Sequence, residues 1–343
     1  MIDPSARQPA DPLLRTLGLP DFVPFPLLRS GFLQTVAGAY WPQRRDENRA
    51  ELVRVNLGEN DETIVAVDCP TDWKEGDRVV LLVHGLAGSH LSSYMNRMAR
   101  KLMRRGTCVV RMNLRNCGIA FGLSRKTYHA GITRDARTVL SWLATRYPAS
   151  PVTAIGFSLG GNLLLRMAGE DASQPTAPLD SLVAVSPALD LARSSRKLEV
   201  APGSWIAQVF LRELIRDVDR LQRVYPDLAR VEFPRKMTIR EFDERHIAVT
   251  HGFKNADDYY ERSSSLAVLD QIRVPTLIIG AKDDPVVELR GLENTKLPAN
   301  VSLLMTEHGG HVGFLGFGRQ KKETRWADDV TLAWMTHQKL LVR

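Results

Sequence analysis

The chain has 343 residues, of which 44% are hydrophobic and 25% charged, with a formal net charge of +7. That composition fits a globular chain long enough for one large α/β domain carrying an insertion, or for two domains. It excludes a low-complexity chain, and no apolar run reaches the roughly 18 residues that a membrane-spanning helix needs.

Met1 to Asp11 carries Asp3, Arg7 and Asp11 and no apolar stretch, so no secretory signal is expected. Six prolines between Pro4 and Pro26 predict an irregular segment over residues 1–50, without long helices. Its apolar residues (Phe22, Phe25, Leu27, Leu28, Phe32, Leu33) predict packing over the body of the protein. Glu51 to Leu57 and Thr63 to Asp68 alternate as half-buried strands do, with Gly58 to Asp61 as the turn of an edge hairpin. The continuous apolar run Val79 to Val83 predicts a central strand, ending in His84-Gly85-Leu86-Ala87-Gly88. A helix over Ser92–Arg105, a strand over Thr107–Met112 and a helix over Ile132–Tyr147 follow.

Val152 to Ile155 then leads into Gly156-Phe157-Ser158-Leu159-Gly160, and the apolar helical pattern Leu163, Leu164, Leu165, Met167 comes after it. Strand, sharp turn and helix with Ser at the turn is the context of a G-x-S-x-G nucleophile elbow. Ser181–Val185 is a further strand. Residues 190–262 break the βα alternation with a charged, aromatic, helical stretch, expected to cap the carboxyl ends of the strands, where ligands bind open α/β sheets. Strands Pro275–Gly280 and Val301–Met305 and a final helix over Thr324–Leu341 complete the chain. The expected division is an N-terminal segment (1–50), a core in two parts (51–189 and 263–343) and the helical cap (190–262).

A Ser hydroxyl needs a base, and the base needs a group that fixes its tautomer. Chains built on this elbow supply them in the order Ser, acid, His. Asp283-Asp284 follows one late strand and His308-Gly309-Gly310-His311 the next. Asp284, followed by Pro285-Val286-Val287, is the favoured acid, with Asp283 as the alternative; His311, after two glycines, is the favoured base, with His308 as the alternative. The amides of Leu86 and Leu159 are the expected oxyanion donors. His84 is read as a structural residue tying down the loop that carries Leu86. Asn113 to Asn116 and Tyr128 to Gly131 are read chiefly as loop scaffolding beside the pocket. No G-x-G-x-x-G, P-loop or coherent metal-ligand spacing is present, so no cofactor and no metal are expected. The basic excess is interleaved with acids (Arg216-Asp217-Val218-Asp219-Arg220) and comes with no recognition motif, so no nucleic acid is expected. Cys69, Cys108 and Cys117 have no metal spacing and cannot all pair, which suits a reducing, cytoplasmic setting.

The chain resembles the YheT-like branch of the α/β-hydrolases, which includes bacterial esterases and eukaryotic membrane-associated relatives. The matching stretches include Gly31-Phe-Leu-Gln34-Thr35, His84-Gly-Leu-Ala-Gly88, Tyr128-His129-Ala-Gly131-x-Thr133-x-Asp135, the elbow from Gly156 to Asn162, and His308-Gly-Gly-His311-x-Gly313-Phe314. A longer pattern runs from Asp243 through Gly252-Phe253 and Asp258-Tyr259-Tyr260 to Asp283-Asp284. The resemblance implies an α/β-hydrolase fold, with a mostly parallel sheet flanked by helices and a cap. It also implies a Ser158-Asp284-His311 hydrolase of carboxylic esters, and a segment Asp243–Ser264 that holds the cap to the core. The expected substrate is a small-molecule ester or acyl lipid, and the oligomeric state is not readable. Two alternatives stay open: an acyltransferase using the same acyl-enzyme, and a non-catalytic binding protein on the same fold.

Overall fold

The computed structural model describes residues 11–41, 50–171, 179–290, 292–317 and 323–338. Two short helices open it, α1 (Pro12–Leu17) and α2 (Gly31–Tyr40), followed by strands β1 (Glu51–Gly58), β2 (Asp61–Asp68) and β3 (Val79–Val83). Next come α3 (Ser93–Met103), β4 (Cys108–Met112), α4 (Thr133–Arg146), β5 (Val152–Phe157), α5 (Leu159–Glu170) and β6 (Ser181–Val185). Between β6 and the next strand lie α6 (Leu191–Lys197), α7 (Gly203–Val224), α8 (Ile239–Phe242), a π-helical turn (Asp243–Ala248), α9 (Val249–His251) and α10 (Ala256–Ser263). The chain closes with β7 (Thr276–Ala281), β8 (Val301–Thr306), a small hairpin of β9 (Leu315–Phe317) and β10 (Glu323–Arg325), and α11 (Trp326–His337).

The main sheet has eight strands in the order β1-β2-β4-β3-β5-β6-β7-β8. β1 and β2 are antiparallel, and β2 pairs antiparallel with β4. From β4 to β8 every neighbouring pair is parallel. Val-Val-Leu-Leu-Val of β3 is buried along its whole length because helices cover both faces of the sheet. The chain moves from β3 outward to β4, then returns to the other side of β3 as β5. That reversal makes a crevice at the carboxyl ends of β3 and β5, the place where doubly wound sheets bind ligands.

Two expectations need correction. The region before residue 50 is not irregular throughout: α1 starts at Pro12, and α2 forms within the proline-free stretch from Leu27 to Trp41. Counting prolines over the whole segment hid that window. The cysteine reading also changes, because the antiparallel β2–β4 pairing brings the end of β2 beside the start of β4, and Cys69 and Cys108 are joined in a disulfide. Cys117 is free and buried. The cysteine count therefore no longer argues for a reducing compartment. Among the described residues no helix is long and apolar enough to cross a membrane.

Candidate active site

Three strand ends converge on one point. Ser158 stands between β5 and α5 with φ +53° and ψ −119°, a conformation that a non-glycine residue adopts only when its surroundings force it. The glycines on either side make that turn possible. A side chain at Gly156 would lie 2.5 Å from the Gly160 carbonyl, and one at Gly160 would lie 2.5 Å from the His84 carbonyl.

From the loop after β8, His311 brings Nε2 to 2.9 Å from Ser158 Oγ. Its Nδ1 lies 2.8 Å from Asp284 Oδ2, in the loop after β7. Asp284 is buried, and its other oxygen accepts the amides of Val286 (2.8 Å) and Val287 (3.0 Å). Asp283 points elsewhere: its Oδ1 accepts the Gly310 amide at 2.9 Å, and its Oδ2 lies 3.4 Å from His308 Nδ1. His308 is exposed, away from Ser158. The pair sits on a tight turn leaving β7, closed by the Asp284 amide on the Ala281 carbonyl, from which one aspartate reaches His311 and the other reaches its loop.

Leu86 and Leu159 both line the cavity beside Ser158, and neither amide has a hydrogen-bond partner among the described residues. The loop bearing Leu86 is pinned by its neighbours. Gly85 N donates to Tyr94 Oη (3.0 Å) and Ala87 N to Tyr128 Oη (2.8 Å). His84 is fully buried, sits 2.8 Å from the Gly85 carbonyl through Nδ1, and accepts the Leu114 amide through Nε2 at 3.0 Å. Burial lowers its pKa to about 4, so it stays neutral as a structural tie.

The cavity over Ser158 is mostly apolar, lined by Leu198, Phe210, Leu214, Ile239, Phe242 and Val287 among others. It has one polar end. Tyr260 Oη lies 2.7 Å from Asp243 Oδ2 and 3.1 Å from Ser195 Oγ, and all three residues line the cavity. Burial is the main cause that lifts Asp243 to a pKa of about 7, against the opposing pull of Tyr260 and Arg240. Asn162, on the first turn of α5, ties the floor together. Its Nδ2 donates to the carbonyls of Ala130 (3.1 Å) and Ser263 (2.9 Å), and its Oδ1 accepts the Ser265 amide (2.8 Å).

The loop residues divide as follows. Tyr128 and His129 line the cavity. Arg115 is buried in a bidentate pair with Asp135 (2.6 and 2.8 Å) and a contact with Asp61, and Asn113 bonds His90, so both are scaffold. The sequence assigns Asp243 and Tyr260 only to the segment expected to hold the cap to the core and gives Ser195 no role, because the three come from separate helical turns. Among the described residues no cluster of three or more His, Cys, Asp or Glu side chains could hold a metal ion.

A family profile for the alpha/beta hydrolase fold matches residues 78–317. The Escherichia coli (strain K12) protein named "Putative esterase YheT" is 33% identical over 303 residues, covering 87% of this chain and 84% of that protein. The chain is a YheT-like member of the α/β-hydrolase fold family. This hydrolase is also similar to a Bos taurus protein named phospholipase ABHD3, at 31% identity over 71% of the chain and 62% of the relative. Among solved structures, Est1E from Butyrivibrio proteoclasticus with bound ferulic acid superposes with a TM-score of 0.55 at 12% identity, over 85% of this chain and all of that one. That likeness shows a shared fold.

Proposed function

We propose that the protein is a serine hydrolase that cleaves carboxylic esters, with Ser158 as nucleophile, His311 as base and Asp284 as the group that orients it. The observation that carries this reading is the unbroken hydrogen-bond chain from Ser158 Oγ through His311 to Asp284, at the floor of an apolar cavity. Ser158 Oγ attacks the ester carbonyl carbon while His311 Nε2 takes its proton. The amides of Leu86 and Leu159 receive the developing oxyanion; one such donor is typically worth about 3 kcal/mol of transition-state stabilisation. His311 then protonates the departing alcohol, leaving an acyl-enzyme, and water activated by the same imidazole releases the acid.

The segment from Leu191 to Ser263 acts as a cap in this reading, because its residues supply most of the cavity wall. The apolar lining fits a hydrocarbon acyl chain, and the relatives named as esterase and phospholipase support an acyl-lipid or small-ester substrate. The test is Ser158→Ala assayed on p-nitrophenyl esters of rising acyl length and with a fluorophosphonate probe. Turnover and labelling both vanish while the thermal melt is kept. Undiminished turnover in that variant ends the proposal.

A further inference from the structure

His311 sits in a tight, strained turn closed by the Phe314 amide on the Gly309 carbonyl at 2.9 Å. Between β8 and β9 four residues have positive φ: Gly309 (+147°), Gly310 (+57°), Val312 (+57°) and Phe314 (+44°). Glycine tolerates this, but a β-branched Val and a Phe in that region are strained, and such strain persists only where the surroundings over-determine the backbone.

Part of that restraint comes from the Asp283 carboxylate, which accepts the Gly310 amide at 2.9 Å, and part from helix α2, which precedes the residues matched by the family profile. Thr35 Oγ1 accepts the backbone amide of His311 itself at 2.8 Å and donates to the Gly31 carbonyl at 2.7 Å. Gln34 is fully buried. Its Oε1 accepts the Leu315 amide, and its Nε2 donates to the carbonyls of Leu315 and Leu28, each at 2.8 Å. The packing leaves no slack. A side chain at Gly31 would lie 1.8 Å from the Asp283 carbonyl, one at Gly310 2.2 Å from the Gly31 carbonyl, and one at Gly313 2.5 Å from the Gln34 carbonyl. On the other side, Ser186 Oγ accepts the Val312 amide at 3.2 Å.

We propose that α2 is a clamp that holds the imidazole of His311 in line with Ser158, and that Thr35 is a positioning residue for the reaction. The proposal rests on the triad reading given above. Thr35 touches no reacting atom in this scheme. It fixes the backbone from which the imidazole hangs, and a misplacement of about 1 Å at such a base costs up to roughly 100-fold in rate.

The test uses the full chain with Thr35→Val, Thr35→Ala and Thr35→Ser, measuring kcat and KM on one p-nitrophenyl ester, the fluorophosphonate labelling rate, and the thermal melt. For Val and Ala, kcat and the labelling rate fall together by roughly 10- to 100-fold, while KM stays within about two-fold. Ser keeps the hydroxyl and restores most of the rate. The Ala variant carries the test if the larger Val side chain prevents folding. Wild-type kcat in both hydroxyl-free variants overturns the clamp, as does a Ser variant as slow as Ala, or a loss confined to KM or to the melt. Ser158→Ala, run alongside, separates the two ideas: an active Ser158→Ala removes the triad, whereas an inactive one beside a fully active Thr35→Ala removes only the clamp.

Discussion

Replacing Asp284 by Asn probes the hydrogen-bond chain at its most determined point. Asn and Asp have the same shape, so packing is preserved. What decides the outcome is which way the new carboxamide faces. At the Oδ1 position two backbone amides, Val286 N at 2.8 Å and Val287 N at 3.0 Å, demand an acceptor. Turning the NH₂ toward them would leave two buried donors facing a third, at about 1–3 kcal/mol for each unsatisfied group. The amide oxygen therefore stays with Val286 and Val287, and the NH₂ faces His311 Nδ1, which sits 2.8 Å from the Oδ2 position. An NH₂ there needs a bare Nδ1, so the proton of the neutral imidazole moves to Nε2. Nε2 then has no lone pair for the Ser158 proton. The corresponding change in a serine protease triad lowers kcat by about 10⁴, which is about 5.5 kcal/mol in the barrier. Initial rates on a p-nitrophenyl ester across pH 6–9, with a thermal melt as the fold control, measure it. Asp283→Asn, whose carboxylate holds only the Gly310 amide and faces the exposed His308, loses less than about tenfold on the same scale. A fall of less than tenfold in Asp284→Asn, or a larger fall in Asp283→Asn, refutes the assignment of the orienting acid.

Two further variants test other parts of the arrangement. Gly160→Ala places a methyl carbon 2.5 Å from the His84 carbonyl and 2.6 Å from that of Val83, forcing β3 and α5 apart. A drop of more than 2 kcal/mol in unfolding free energy, or loss of soluble protein, is expected from such a backbone clash; an unchanged denaturant midpoint would contradict the packing. Asp243 gives a pH test with a definite sign. Burial raises its carboxyl from 3.8 to about 7 in the folded protein, so between about pH 4 and 7 the unfolded chain releases a proton that the native one keeps. Its contribution to stability is complete below pH 4 and is lost as the pH rises through 7. Melting temperatures of wild type and Asp243→Asn measured from pH 4 to 8 are therefore expected to diverge, wild type losing ground as pH rises. Parallel curves would show that the carboxyl does not titrate in that window.

Much of this was legible in the sequence because the chemistry is concentrated at strand ends. The elbow from Gly156 to Gly160, the acid pair after β7 and the His308–His311 turn after β8 are each contiguous, and period and glycine placement mark their strands and turns. The sequence favours Asp284 over Asp283 only through the Pro285-Val286-Val287 run that follows it, because the choice depends on which side of one short loop faces His311. The bond from Thr35 to His311 joins residues far apart in the chain, and no local pattern announces it. The Cys69–Cys108 bridge likewise depends on β2 lying beside β4, a pairing that spacing along the chain does not reveal. Strands β9 and β10 have three residues each, too short for alternation to register.

Asn162 carries a mechanical consequence. Through that one carboxamide the first turn behind the nucleophile is stitched both to the Tyr128–Gly131 loop and to the tail of α10. That wall of the chamber cannot swing outward without dragging the nucleophile along. Among the described residues the Asn162 carboxamide makes no bond to α7, the 22-residue helix that lends Phe210 and Leu214 to the chamber.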